Sequence, residues 1–231
     1  MKCHVTLLGY TPDPDRIVAA AARLCYSDIP AGSIMKEQDS SSVESLLLHL
    51  RKSGHNSPFE HASFTFSLDG MSRVTSHQLV RHRIASYSQR SQRYVSMTQP
   101  NVVVPPTIAA DKEAEQMFLD QVRASHCTYL DLVKRGIPKE DARYILPHGW
   151  TTSLVMTMNA RELHHFFALR LCRRAQWEIQ DVARGMLREV QKVAPVIFNL
   201  AGPSCVVNGK CNEARPCGHP FHSMEELLKE E

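Results

Sequence analysis

The sequence predicts a fold of the α+β or α/β class. Three observations carry this: short runs that alternate with period two, long runs with helical punctuation, and an order of the two that makes no regular βαβ units. The chain has 231 residues, 43% apolar and 22% charged. Such a chain matches a globular protein of one sizeable domain, able to bury a core without staples. No internal repeat or linker divides it, so residues 1–231 are read as a single domain.

In chain order, "HVTLLGY" alternates as a strand and "TPDPD" closes it with turn chemistry. "RIVAAAARLCYS" reads as a helix, "DIPAGSIMKEQDSS" as a polar mobile loop, and "SVESLLLHLRKSG" as a second helix ending at Gly54. In the next strand Ala62, Phe64, Phe66 and Leu68 alternate with His61, Ser63, Thr65 and Ser67. "MSRVTSHQLVRHR" looks helical, and "SYSQRSQRYV" extended or irregular. After "QPNVVVPP" a long polar helix is expected over about residues 109–135, stopped by Gly136 and Pro138. "PKEDARYILP" is a short helix and "GWTTSLVMTMN" a strand. Asn159 with Glu162 resembles a capping box, opening one helix that runs to about Val193. Phe166, Phe167, Leu171 and Ile179 are its expected core residues.

Charge is distributed unevenly. The net charge is only +3, whereas a duplex-binding domain is more often basic along a whole face. Yet between Asp69 and Asp111 there is no Asp or Glu, and Arg73, Arg81, Arg83, Arg90, Arg93, His77 and His82 all fall in that gap. Arginine offers a planar, permanently charged fork for phosphate or carboxylate, and the Ser and Gln residues interleaved here can read carbonyls and imides. The plainer reading is a solvated basic face whose acidic partners lie elsewhere in the chain. A second cluster, "NARELHHFFALRLCRRAQWEIQ", places Arg161 and His165 on one helix face and Arg170 with Arg174 roughly opposite. Helix-surface charge is the alternative for Arg161 and Arg174, and a core position beside the phenylalanines for His165. "GHNSPFEH" carries His55 and His61 around a proline turn. No GxGxxG after a strand, P-loop lysine motif, GxSxG or HExxH is present, so side chains and irregular loops must hold any nucleotide.

Seven cysteines and no apolar leader segment point to free thiols in a cytoplasmic, soluble protein, and no run approaches membrane-spanning length. Cys205, Cys211, Cys217, His219 and His222 crowd the tail, but two gaps of five residues suit zinc less well than tighter pairs. The expectation is therefore no metal, and an ordered Gly/Pro-rich tail with reduced thiols.

"RHRIASYSQRS", Arg-His-Arg followed after seven residues by Ser91, resembles the signature of the flavin-dependent thymidylate synthases. "SPFEH", "ARYILP" and "NAREL…LR…AQWEI" are similar to that family as well, so the likeness covers about residues 50–200. The resemblance implies an α+β fold with a central, mostly antiparallel sheet flanked by long helices, and the Cys/His-bearing tail 201–231 outside the core motifs. It implies synthesis of dTMP by reductive methylation of dUMP, with FAD, NADPH and 5,10-methylenetetrahydrofolate. It assigns His55, Ser57, Arg81, His82, Arg83, Gln89, Asn159, Arg161 and His165 to FAD. Gln78, Arg81, Gln89, Ser91, Gln92, Arg93, Arg143 and Arg170 fall to dUMP, with Arg170 as the residue stabilising charge on the uracil ring. Many members carry Glu at the position of Gln89 and Asn at that of His165. The family also implies a homotetramer with sites shared between subunits, acting on small molecules, with no nucleic acid and no membrane partner. The rival readings are a single-strand or RNA-binding module using Arg81–Arg93 with Tyr87 and Tyr94 for stacking, and a zinc-organised interaction protein built round the tail.

Overall fold

The computed structural model describes residues 2–229; Met1, Glu230 and Glu231, the ends of the expected single domain, lie outside the described residues. Four strands, β1 (His4–Tyr10), β2 (Ser63–Ser72), β3 (Ala85–Gln89) and β4 (Thr151–Asn159), form an antiparallel sheet in the order β1-β2-β4-β3. The class is therefore α+β. Its helices are α1 (Pro14–Leu24), α2 (Ala31–Glu37), α3 (Ser40–Ser53), α4 (Arg73–Leu79), α5 (Pro106–Ala109), α6 (Lys112–Lys134), α7 (Lys139–Ala142), α8 (Ala160–Arg170), α9 (Trp177–Val193), α10 (Pro195–Phe198), α11 (Ser204–Val207) and α12 (Met224–Lys229).

The chain forms two compact units, to which β2 and β4 each contribute residues. One comprises Leu68–Arg81, Ser88–Leu154 and the first residues up to His4. Its core gathers Met97, Val122, Tyr129, Ala142, Leu146 and Trp150, against which Phe118, Leu132 and Val133 pack. The Tyr129 hydroxyl accepts from the Met97 amide (3.3 Å), and His126 Nε2 donates to the Met97 carbonyl (2.8 Å), so both backbone groups of Met97 are satisfied. The other unit comprises Val5–Ser67, His82–Tyr87 and the chain from Val155 onward. Here Phe59, Phe64, Phe66, Phe166, Phe167 and Phe198 are fully buried, as are Leu171 and Ile179. Each buried aromatic of this size removes about 150–250 Å² from water, which makes this cluster the main apolar anchor of α8.

Several elements differ from the sequence expectation. The polar stretch after Ser27, expected as a loop, contains α2. Its four-residue spacing of Ile34 from Pro30 is closed by a backbone bond (3.1 Å), and Ile34 is buried, so packing overrides the weak local signal. The helix expected over residues 71–83 is only α4, because Met71 and Ser72 still belong to β2 and Arg81–Arg83 leave the helix. The helix expected from about residue 109 is α5 followed by α6, restarted where the Asp111 side chain caps Glu113 and Ala114. Gly136, at φ 86, ends it as expected. The helix expected from Asn159 to Val193 breaks at 171–176 and restarts as α9, where Gln176 accepts from the Ile179 amide.

Candidate active site

Asn159 caps α8 by accepting the Glu162 amide at 2.9 Å. The Glu162 side chain does not complete the expected capping box. It turns instead to His82, whose Nδ1 lies 3.1 Å from its Oε1. Arg170, at the other end of α8, brings Nε to within 3.0 Å of His82 Nε2. A guanidinium can only donate, so His82 Nε2 is the acceptor and Nδ1 carries the proton toward the carboxylate. The imidazole is thereby held neutral in one tautomer. Burial, with help from Arg170 and His165, lowers its pKa to about 4, and His82 is only 4% exposed. Burial pushes the Glu162 carboxyl above its ordinary value, with His165 opposing. Tyr87 closes the arrangement by donating its hydroxyl to the His82 carbonyl (2.7 Å); burial, then Glu162, push that phenol up.

His82, Glu162 and His165 bring ligand atoms within 4.8 Å of one another. A dication there would compete with the Arg170 guanidinium for the His82 lone pair, so the geometry suits a neutral hydrogen-bonded imidazole better than a metal ligand. His165 is exposed, with its ring 5.7 Å from that of His82. The core histidine of α8 is its neighbour His164, packed between Phe59 and Phe198 and held neutral by burial. Arg170 also corrects an expectation: it does not serve a separate, opposite face, because it reaches the same imidazole that Glu162 holds and His165 borders.

Residues Asn159, Arg161, Glu162 and His165 line a cavity of about 640 Å³ together with Arg51, Asn56 and Glu60. Arg161 is ion-paired to Glu60. His55 and Ser57 line a different cavity of the same unit, about 560 Å³, with Arg23, Tyr26, His49 and Leu50. The residues assigned to FAD thus divide between two cavities, with Asn56 in the lining of the larger and its neighbours His55 and Ser57 in that of the other. Arg83 is exposed and, like Arg81 and Arg90, makes no side-chain hydrogen bond or ion pair among the described residues.

The unit containing β3 holds the remaining candidates. Gln89 donates its amide to Ser76 Oγ (3.1 Å) and Thr152 Oγ1 (3.2 Å). Ser91 Oγ accepts from the Arg93 amide (3.2 Å). Gln92 is buried and its amide nitrogen has no partner among the described residues. Gln78 is half-buried on α4. Arg93 does have a carboxylate, Glu140 at 2.7 Å, so for this one arginine the plain reading of a distant acidic partner holds. Among the described residues Arg143 donates only to the Glu140 carbonyl (3.1 Å). Arg73 was not singled out as a ligand, yet its Nη1 is buried with no partner among the described residues, and burial and Arg143 depress its pKa. Its place in the acid-free segment was the one available signal. Glu162 was missed as well, because its partner lies 80 residues away.

An α+β fold that locks a neutral imidazole between a carboxylate and a guanidinium, with Arg81, Arg83 and Arg90 lacking a carboxylate among the described residues, fits an enzyme that handles anionic ligands. Residues 6–196 match the family model described as thymidylate synthase complementing protein. The chain is 49% identical over 217 residues to the flavin-dependent thymidylate synthase of Geobacter sulfurreducens, covering 93% of both chains. It is 45% identical to that of Clostridium tetani, over 94% of both. A crystal structure of a UMP/dUMP methylase, PolB, from Streptomyces cacaoi bound with 5-Br dUMP superposes with a TM-score of 0.78 at 28% identity, covering 86% of this chain and 93% of that one. The chain belongs to the flavin-dependent thymidylate synthase family.

Proposed function

We propose that the protein makes dTMP from dUMP by reductive methylation, with 5,10-methylenetetrahydrofolate as one-carbon donor, NADPH as reductant and FAD as the bound flavin, in the cytoplasm. The observation that carries the reading is uncompensated charge: among the described residues Arg81, Arg83 and Arg90 still have no carboxylate. Cations in that position call for a ligand anion, and the phosphates of a flavin dinucleotide and a nucleotide supply it. The buried Arg73 Nη1 and Gln92 amide nitrogen, both without partners among the described residues, are further donors of the kind a bound nucleotide satisfies. FAD, when bound and reduced, supplies the hydride that completes the methyl group.

The chain's own residues bind, orient and stabilise charge. Asn159, Arg161 and His165 border the larger cavity, with His82 held behind them, and are the proposed FAD contacts together with His55, Ser57, Arg81, Arg83 and Gln89. Gln78, Arg81, Gln89, Ser91, Gln92, Arg93 and Arg143 are the proposed dUMP contacts. Ser91 is a positioning group rather than a nucleophile, since its oxygen accepts a backbone amide and no base activates it among the described residues. Arg170 stabilises negative charge on the uracil ring and so makes C5 nucleophilic.

A homotetramer with shared sites completes the proposal. The split of the FAD residues between two cavities supports it, because a second copy can bring His55 and Ser57 to another subunit's Asn159, Arg161 and His165. The test is visible absorbance after gel filtration with added FAD. A yellow protein that forms dTMP from dUMP is the expected result, and a colourless protein retaining no FAD defeats the reading.

A further inference from the structure

We infer that Cys172, Cys205, Cys211 and Cys217 form a tetrathiolate site for a structural zinc ion. All four line one cavity of about 170 Å³. They come from two separate places, Cys172 from the turn between α8 and α9 and the other three from α11 and the irregular chain after it. The spacing that argued against a metal considered only the tail. The fold supplies the missing fourth thiol, while His219 and His222 are not among the lining residues. All four are free and partly buried, whereas Cys25 and Cys127 are exposed.

The tail gives an independent reason for a staple. Residues 208–223 contain no helix or strand, and ordered stretches beyond about 12–15 residues without secondary structure are uncommon in compact domains. What holds this one is sparse. Asn212 donates its amide to Ser204 Oγ (3.0 Å), Arg174 pairs with Glu213 (3.0 Å), and the Arg173 guanidinium sits 3.9 Å over the Phe221 ring. The half-exposed Arg174–Glu213 pair contributes little. Buried Phe221 and the His222 amide, which donates to Glu226 (2.8 Å), hold the far end of the stretch, while 208–217 has no buried residue of its own.

The chemistry is consistent. Each thiol releases a proton to solvent as its sulfur binds, and four thiolates on one Zn²⁺ leave two net negative charges. Arg173 and Glu213 line the cavity, with Arg173 paired to Glu226 and Arg174 paired to Glu213. Among the described residues no three of the sulfurs lie within 4.8 Å of one another. Reaching Zn–S distances of about 2.3 Å therefore draws the irregular chain inward, with the helix ends as the fixed side. Cys172 follows Arg170 by two residues, so the ion would fasten the end of α8 to the tail.

The test uses the full chain. Metal analysis of protein purified without chelator should give one zinc per chain. After stripping, Co²⁺ titration should produce sulfur-to-cobalt charge transfer and the visible bands of a tetrahedral thiolate site. Cys172→Ser and Cys211→Ser should lose that spectrum, and Cys25→Ser and Cys127→Ser should keep it. If the parent binds no cobalt through thiolate, or if Cys172→Ser binds as the parent does, the site does not exist. Recovery of an oxidised cysteine pair with no metal overturns it equally. Should the serine variants fail to fold, the parent's cobalt spectrum alone still decides.

Discussion

At the scale of single residues the centre rests on His82 and Arg170. Uracil is a poor carbon nucleophile until charge builds on its ring, and a preorganised guanidinium stabilises that charge without losing its own proton. Removing one such donor typically costs about 10²–10³ in turnover. Arg170→Ala is therefore expected to keep FAD but lose dTMP formation even at saturating dUMP, and Arg170→Lys to recover only part. Arg143→Ala should mainly raise KM for dUMP. An Arg170→Ala enzyme that turns over near the parent rate at high dUMP would reduce Arg170 to a binding residue. His82 predicts a pH effect of definite sign. It is neutral in the fold, with a pKa of about 4, but titrates near 6.5 when unfolded. As pH falls from about 6.5 toward 4, the unfolded chain takes up a proton that the folded one refuses. Stability drops by up to roughly 1.4 kcal/mol per pH unit, and the loss levels off below the folded value. His164, held low by burial, acts in the same direction, while Glu162, held high, acts in the opposite one. Denaturant titrations of parent and His82→Gln at about pH 7 and pH 4.5 should therefore show a shallower decline in the variant. Equal declines would mean that His82 is not held neutral.

At the scale of elements, Asn159 has two jobs that substitution can separate. Its side chain caps α8 through the Glu162 amide, and its side chain also borders the larger cavity. Losing an N-cap to alanine costs about 1 kcal/mol, whereas serine caps about as well. Asn159→Ala should lose both stability and FAD affinity, and Asn159→Ser should regain the first but not the second. Thermal melting with and without FAD distinguishes them, and full FAD affinity in the serine variant would leave Asn159 as a cap only. The cap was legible because a local pattern encodes it. So was the core face of β2, where Phe64, Phe66 and Leu68 are all fully buried. The break after α8 was not, for "LCRRAQ" contains no Gly or Pro and the restart depends on one side-chain bond from Gln176. Periodicity marks where a helix is amphipathic, not where a competing cap interrupts it. The imidazole's surroundings were illegible for a related reason: Glu162 and Arg170 reach His82 across 80 and 88 residues, and only tertiary packing sets such pairs. The Arg-His-Arg motif located the imidazole; the fold supplied its partners.

At the scale of the whole molecule, the reason for expecting an oligomer changes while the expectation stays. The sequence argument rested on Arg161 and Arg170 pointing to opposed faces of one long helix, but that helix ends at Arg170 and Arg170 turns to His82. Two other observations replace it. Tyr26, Tyr94 and Tyr144 are 90%, 74% and 85% exposed, large aromatic surfaces of the kind that interfaces bury. The proposed FAD contacts also occupy two cavities, with His55 and Ser57 in one and Asn159, Arg161 and His165 in the other. In a closed symmetric assembly one copy's first set can face another copy's second set. That arrangement makes two defects complementary if they sit on different subunits. Ser57→Trp fills the first cavity and Arg161→Glu reverses the charge at the second, so each homogeneous variant should bind little FAD. Co-expression should then restore part of the flavin content and activity, because some sites in a mixed tetramer draw both halves from unaltered surfaces. Sedimentation should show a tetramer throughout. If the mixture stays as colourless as its parents while remaining tetrameric, each subunit builds its own flavin site and the shared arrangement is wrong.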